Sequence, residues 1–213
     1  MEKIIKLAIN KKKFFIFIIF ILFFFNSPSK SVTNNVLATI DNSIITELDL
    51  KKEIEFIKFI NKSEIDGNSE KVKKNIIDTL IDRKIKKIEI DNAKIEITEK
   101  EIENYTYNYL ANYKINDEIL HSFYNTKQIE KNYLKNLLII EIGWTKLIRQ
   151  IYESRININI TEINEEIKKE SKNFEDSEKL KNQIINIEKN KVLNKFGNNH
   201  LEKSKKKYLI KLL

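Results

Sequence analysis

The chain has 213 residues and a formal net charge of +8, with three Gly, one Pro and no Cys. So little Gly and Pro speaks against β-sandwiches, barrels and glycine-loop nucleotide folds, whose turns and phosphate cradles depend on them. Without Cys there is no disulfide framework, and the length suffices for one core, or a core with a small lobe.

Much of the charge sits at the start. Residues 1–31 carry Lys3, Lys6, Lys11, Lys12, Lys13 and Lys30 against Glu2, five of the eight net positive charges, so the remainder is only +3. Phe14 to Phe25 is unbroken apolar sequence. As a helix it rises about 18 Å, short of the roughly 20 residues a bilayer core requires. A basic flank, a short apolar core and the small-x-small site Ser29-Lys30-Ser31 match a signal peptide cut near Ser31. The competing reading is an uncleaved N-terminal anchor. Beyond residue 31, Arg83, Arg149 and Arg155 are the only arginines, and the lysines are scattered among acids. That leaves no concentrated basic face of the kind nucleic acids bind.

The expected domains are a signal peptide, 1–31, and a helical core, 32–213, made of an N-terminal region 32–173 and a closing helix and strand over 178–213. Val36 to Thr46 reads as two short strands joined by Asp41-Asn42, residues that tolerate the positive φ of a tight turn. Thr46 is an N-cap with Asp49 three residues on, opening a helix over about 47–61 with Leu50, Ile54, Phe56 and Ile57 inward. Ser63 to Ser69 is a loop. Val72, Ile76, Leu80, Ile81, Ile85 and Ile88 fall three or four apart and predict a helix over about 70–94, its Lys and Glu face solvated.

Ile97-Thr98-Glu99-Lys100-Glu101 repeats the capping pattern and starts a helix to about Asn112; Ile115 to Ile119 starts a short one ending near Tyr124. A long helix follows over about 126–154, burying Ile129, Tyr133, Leu134, Leu137, Ile140, Trp144, Leu147, Ile148 and Ile151. Gly143 within it costs about 1 kcal/mol against Ala and suggests a close helix crossing. Ile156 to Ile160 is a connector into a helix capped at Thr161 and ending near Asn173, and Phe174 to Ser177 reads as a polar break. The last helix, about 178–206, carries Leu180, Ile184, Ile187, Val192, Phe196 and Leu201, before an isolated apolar strand, Tyr208 to Leu213. That strand has one obvious partner, the N-terminal hairpin. The fold class is therefore mainly α, with a small antiparallel β element joining both ends.

No catalytic, cofactor or metal constellation is found. His121 and His200 have no partner at ligand spacing and read as surface or edge residues. No phosphate loop or nucleophile elbow occurs, and paired acids such as Glu165-Glu166 are explained by helix N-termini. The aromatic residues are more informative. Tyr105, Tyr109 and Tyr113 recur every four residues on one helix face, with Tyr107, Phe123, Tyr124 and Tyr133 near in sequence. Two readings stand: a helix face packed on the core, or a partly open amphipathic surface that holds unfolded chains, with Tyr105, Tyr109, Tyr113, Phe123 and Tyr124 as its contacts.

Four segments carry a family resemblance. Ala38 to Leu50 resembles the opening of SurA-type periplasmic chaperones, and Leu80-Ile81-Asp82-Arg83-Lys84-Ile85 resembles a helix of that family. Ile142-Gly143-Trp144 through Ile167 is similar to its long helix, connector and next capped helix, and Asn190 to Leu213 to its closing helix and strand. The resemblance implies an ATP-independent periplasmic holdase for unfolded outer-membrane β-barrel proteins, with no stable membrane insertion once the signal is removed. Family members usually carry parvulin-type prolyl isomerase domains of about 90 residues before the closing helix. Only about ten residues stand at that place here, which implies a chaperone core without the enzyme. A helical scaffold, soluble or membrane-anchored, and a residual isomerase are the alternatives.

Overall fold

Thr39 and Ile40 run in extended backbone until Asp41 turns the chain with φ of 46°. The strand β1 (Val36–Ile40) then pairs antiparallel with β2 (Ser43–Thr46). The computed structural model describes residues 34–62, 64–170 and 174–213. The expected signal peptide and its Ser31 cleavage site lie outside them. As the sequence predicts, the terminal strand β3 (Ile210–Leu212) closes on the hairpin, antiparallel to β1, giving the order β2-β1-β3.

Among the described residues, seven helices complete a mainly α fold. Thr46 caps α1 (Glu47–Asn61) through a full capping box: its hydroxyl accepts from the Asp49 N–H at 3.3 Å, and the Asp49 carboxylate accepts from the Thr46 N–H at 2.9 Å. Then come α2 (Glu70–Asn92), α3 (Glu99–Asn112), α4 (Asp117–Lys127) and α5 (Tyr133–Tyr152). A 3₁₀ turn, Glu153–Arg155, leads to α6 (Ile160–Glu170) and α7 (Phe174–Lys205).

Three boundaries differ from the sequence reading. The long helix begins at Tyr133 instead of near 126, because α4 runs on to Lys127 and stops where Gln128 takes φ of 54°. Ile129 is buried, but in the connection. α6 starts at Ile160, which puts Thr161 in its first turn. Phe174–Ser177 is helical, not a break; it contains neither Gly nor Pro to stop the helix that follows.

Two apolar clusters hold the elements together. The first joins Ala38, Ile40 and Ile45 of the sheet to Leu50 of α1, the inner face of α2, Trp144, Leu147 and Ile148 of α5, and Leu193 and Leu201 of α7. The second gathers Phe56 and Ile60 of α1, Leu110 of α3, Phe123 and Tyr124 of α4, and Leu134 and Leu138 of α5. Helices α1 and α5 thus run through both. Where α5 meets the end of α2, Gly143 lets the backbones close: a Cβ there would lie 3.0 Å from Ile90 Cγ2 and 3.0 Å from Ile97 Cδ1. Ile187 of α7, grouped with the inward residues in the sequence, is 53% exposed.

The C-terminal segment is clasped from below. Glu89 of α2 accepts from the Tyr208 hydroxyl at 2.6 Å and from Lys207 Nζ at 3.1 Å. His200 is not the edge residue expected. It lies largely buried, its Nδ1 2.9 Å from the Tyr152 hydroxyl, its Nε2 3.5 Å from Glu89 Oε2 and its ring edge-on to Trp144. His121 is exposed.

Candidate functional site

The aromatic helix of the sequence is α3, and its position is set by polar chemistry at its start. Thr98 and Glu101 form a capping box, the carboxylate accepting from the Thr98 N–H at 2.8 Å and its hydroxyl at 2.9 Å. The same carboxylate pairs with Lys146 of α5 at 2.7 Å, and Glu99 pairs with Lys135 at 3.0 Å. Lys146, then the Thr98 contacts, bring the Glu101 carboxyl down to about 2. Ile102 and Leu110 turn inward and are buried.

So fixed, α3 divides two clefts. On one side Tyr109 and Tyr113, with ring centroids 4.9 Å apart, stand over a cleft of about 230 Å³. Its other walls are Phe56, Ile57 and Ile60 of α1 and Leu134, Leu137 and Leu138 of α5, and it reaches down to Glu53 and Arg83. Burial, followed by the neighbouring Tyr113, pushes the Tyr109 hydroxyl up to about 12, so it stays protonated in neutral solution and can donate as well as accept. On the other side Ile102, Leu110, Ala111 and Ile115 floor an open groove of about 640 Å³. Tyr107, 75% exposed, stands beside it, and Glu99, Glu103, Asp117 and Lys135 rim it.

Tyr105, Tyr109 and Tyr113 therefore share a face as the spacing predicts, but with graded exposure. Tyr105 is 44% and Tyr113 37% exposed, while Tyr109 is half-buried against the second cluster. Phe123 and Tyr124 do not join them at the surface. Both are buried: Phe123 stacks on Phe59 at 4.1 Å, and the Tyr124 hydroxyl accepts from the Leu134 N–H at 3.3 Å. The reason is local. The Asn116 cap sets the phase of α4 so that Leu120, Phe123 and Tyr124, at i, i+3 and i+4, share its inner face.

Beneath the Tyr109 cleft lies a polar site that the sequence reading missed. Glu53 is 3% exposed, yet it takes both arms of the Arg83 guanidinium, at 2.7 and 2.9 Å, and the Tyr133 hydroxyl at 2.6 Å. Burial alone would raise the Glu53 carboxyl, but Arg83 and Tyr133 outweigh it and hold it below the ordinary glutamate range. Tyr133 is pushed up, first by burial and then by the Glu53 charge. The available signal was register: Glu53 falls on the stripe Leu50, Glu53, Phe56, Ile60, whose other members are apolar. No group of three or more His, Cys, Asp or Glu capable of holding a metal ion occurs among the described residues, nor any helix long and apolar enough to cross a membrane.

Comparison with protein families is consistent with this arrangement. The chain matches the SurA-like N-terminal domain over residues 4–138, well over half its length. It belongs to the SurA-like N-terminal domain family, and hence to a class of chaperones that act on unfolded protein. The match runs from residue 4 through α4 into α5, so it takes in α3 and the Glu53–Arg83–Tyr133 site; the later segments that resemble the family fall beyond it. No curated protein matches the chain.

Proposed function

We propose that the protein is an ATP-independent holdase of the periplasm that binds unfolded outer-membrane β-barrel proteins along α3. The observation that carries this reading is the half-open aromatic cleft, in which Tyr109 and Tyr113 lie over Phe56, Ile57 and Leu137 without closing it. A strand destined for a barrel presents alternating apolar side chains that must be shielded without being folded. Shallow walls of Tyr and Ile offer area for weak, exchangeable contact, and tyrosine hydroxyls keep the surface wettable when it is empty. Phe123 and Tyr124 contribute from behind, as the packing that holds the cleft wall in place.

The same reading makes the protein a chaperone without isomerase activity. Helix α6 ends at Glu170 and α7 begins at Phe174, so three residues stand where an isomerase domain of the family would be inserted. In this reading the leader is cut near Ser31 and residues 32–213 act in the periplasm, which N-terminal sequencing of the exported protein checks.

The direct test is light scattering of an unfolded barrel protein diluted from denaturant with and without the purified protein. Suppression is expected, and Tyr105→Ser/Tyr113→Ser should weaken it while leaving helicity intact, since both rings are substantially exposed. Ile187→Ser, at an exposed position of α7, serves as the control. Equal suppression by the double variant and the control refutes the assignment to α3. A proline-peptide assay should show no acceleration over the tens to hundreds of seconds of the uncatalysed reaction.

A further inference from the structure

We infer that the outer edge of β3 is a docking site for an extended acidic peptide segment, which adds to the sheet as a fourth strand. The inference is independent of the α3 clefts, which lie against the other apolar cluster.

The backbone supplies the first observation. In the ladder with β1, the Leu209 carbonyl accepts from the Asp41 N–H at 3.1 Å and the Leu213 N–H donates to the Leu37 carbonyl at 3.0 Å. Antiparallel strands alternate, so Leu209, Lys211 and Leu213 aim their peptide groups at β1, and Ile210 and Leu212 aim theirs outward. Strand β3 is the end of the sheet, and no described strand receives those outward groups. A row of free N–H and C=O groups at strand spacing fits one kind of occupant, another extended backbone.

The side chains supply the second. Leu209, Leu212 and Leu213 are 62, 62 and 74% exposed, an unusual concentration of open leucine within five residues. Beside Leu212 and Leu213 opens a cleft of about 350 Å³ floored by Leu37, Leu50 and Ile77. It is placed to take an apolar side chain from the core-facing side of an added strand.

Charge selects the occupant. Lys207 is held by Glu89, but Lys206 and Lys211 are exposed and form no ion pair with another described residue. An antiparallel pair of two β3 edges centred on residue 211 would set Lys211 against its own copy, and like charges directly opposite destabilise a strand pair. The same lysine that guards the edge against a second copy favours a strand with a carboxylate at that position. The partner is therefore a segment in which apolar and acidic residues alternate.

The test is amide hydrogen exchange of the purified protein with two synthetic nine-residue peptides, one alternating Val and Glu, the other Val and Lys. At about ten times its dissociation constant the Val/Glu peptide should slow the Ile210 and Leu212 amides about tenfold. The Lys211 amide, already bonded to β1, should move less, and the Val/Lys peptide should leave all three unchanged. Leu212→Pro removes an outward N–H and no β1 bond, a change edge strands tolerate, and should abolish the protection. Lys211→Glu should reverse the preference between the peptides and keeps the test open should Leu212→Pro unfold. Absence of protection by the Val/Glu peptide, equal protection by both, or an unreversed preference in Lys211→Glu overturns the proposal.

Discussion

Replacing Arg83 with Met tests the energetic account most sharply. The substitution keeps most of the aliphatic stem but strips Glu53 of both guanidinium hydrogen bonds, at 2.7 and 2.9 Å, in a site where Glu53 is 3% exposed. Removing one partner of a buried ion pair costs about 3–5 kcal/mol, chiefly because the other charge stays buried without compensation. For a domain of this size each kcal/mol lowers Tm by about 2–4 °C, so a fall of about 10 °C is expected in thermal unfolding followed by circular dichroism. The triple variant Glu53→Met/Arg83→Met/Tyr133→Phe leaves no polar group there unpaired and should recover most of that loss. The pH dependence follows from the sign of the shift. Because the Glu53 carboxyl titrates lower when folded, its stabilisation is fully present above the ordinary glutamate range and fades as pH falls through the folded value. The gap between wild type and Glu53→Gln should therefore narrow on acidification. An Arg83→Met variant within about 1 kcal/mol of wild type, or a triple variant whose loss equals the sum of the single losses, would refute the reasoning.

Other parts of the fold give further tests. Gly143→Val should destabilise by about 1–3 kcal/mol through clashes with Ile90 and Ile97, seen as a lower denaturant midpoint at unchanged slope. Deleting residues 207–213 removes β3 and the Glu89 clasp together and should lower Tm sharply; an unchanged melting curve would show that the sheet stands without its third strand. Tyr208→Phe, which removes the 2.6 Å hydrogen bond to Glu89 and the hydroxyl's contact with the Asn92 side chain, should cost about 1–2 kcal/mol in a urea titration. Lys114→Gly, at a left-handed position with φ of 54°, should raise stability by relieving a conformation that side chains disfavour.

Helix beginnings were legible at three capped starts because capping is local, while the starts of α5, α6 and α7 were misplaced. Thr46, Thr98 and Asn116 each announce a helix within three residues, and each caps one. Helix ends carry a different signal. Left-handed stops ordinarily display Gly, but this chain turns at Asp41, Lys62, Lys94, Lys114 and Gln128, all with positive φ. A lysine or glutamine that ends a helix looks like one on its surface, which is why Gln128 did not mark the α4–α5 boundary. Pairing of the two chain ends was legible because an isolated apolar strand has few partners. Glu53 and Arg83 were not, because 30 residues separate them and each alone reads as a solvated charge. His200 was hidden for the same reason, its contacts Tyr152 and Glu89 lying on other helices. Of the aromatic candidates, spacing correctly grouped Tyr105, Tyr109 and Tyr113. Nearness in sequence wrongly added Phe123 and Tyr124 to the surface, because the phase of α4, not proximity, decides which way they face.

That α5 passes through both apolar clusters has a consequence for how the molecule opens. Leu134 and Leu138 at one end and Trp144, Leu147 and Ile148 at the other lie on one continuous hydrogen-bonded rod, so neither cluster can melt without fraying the support of its neighbour. Excursions short of complete unfolding should be confined to elements that touch one cluster alone, α4 above all, and the middle of α5 should exchange its amides only through the global transition. For a protein of a family that meets unfolded chains, such coupling separates two kinds of disorder: the client's, which it must tolerate at its surface, and its own, which it admits only as a whole.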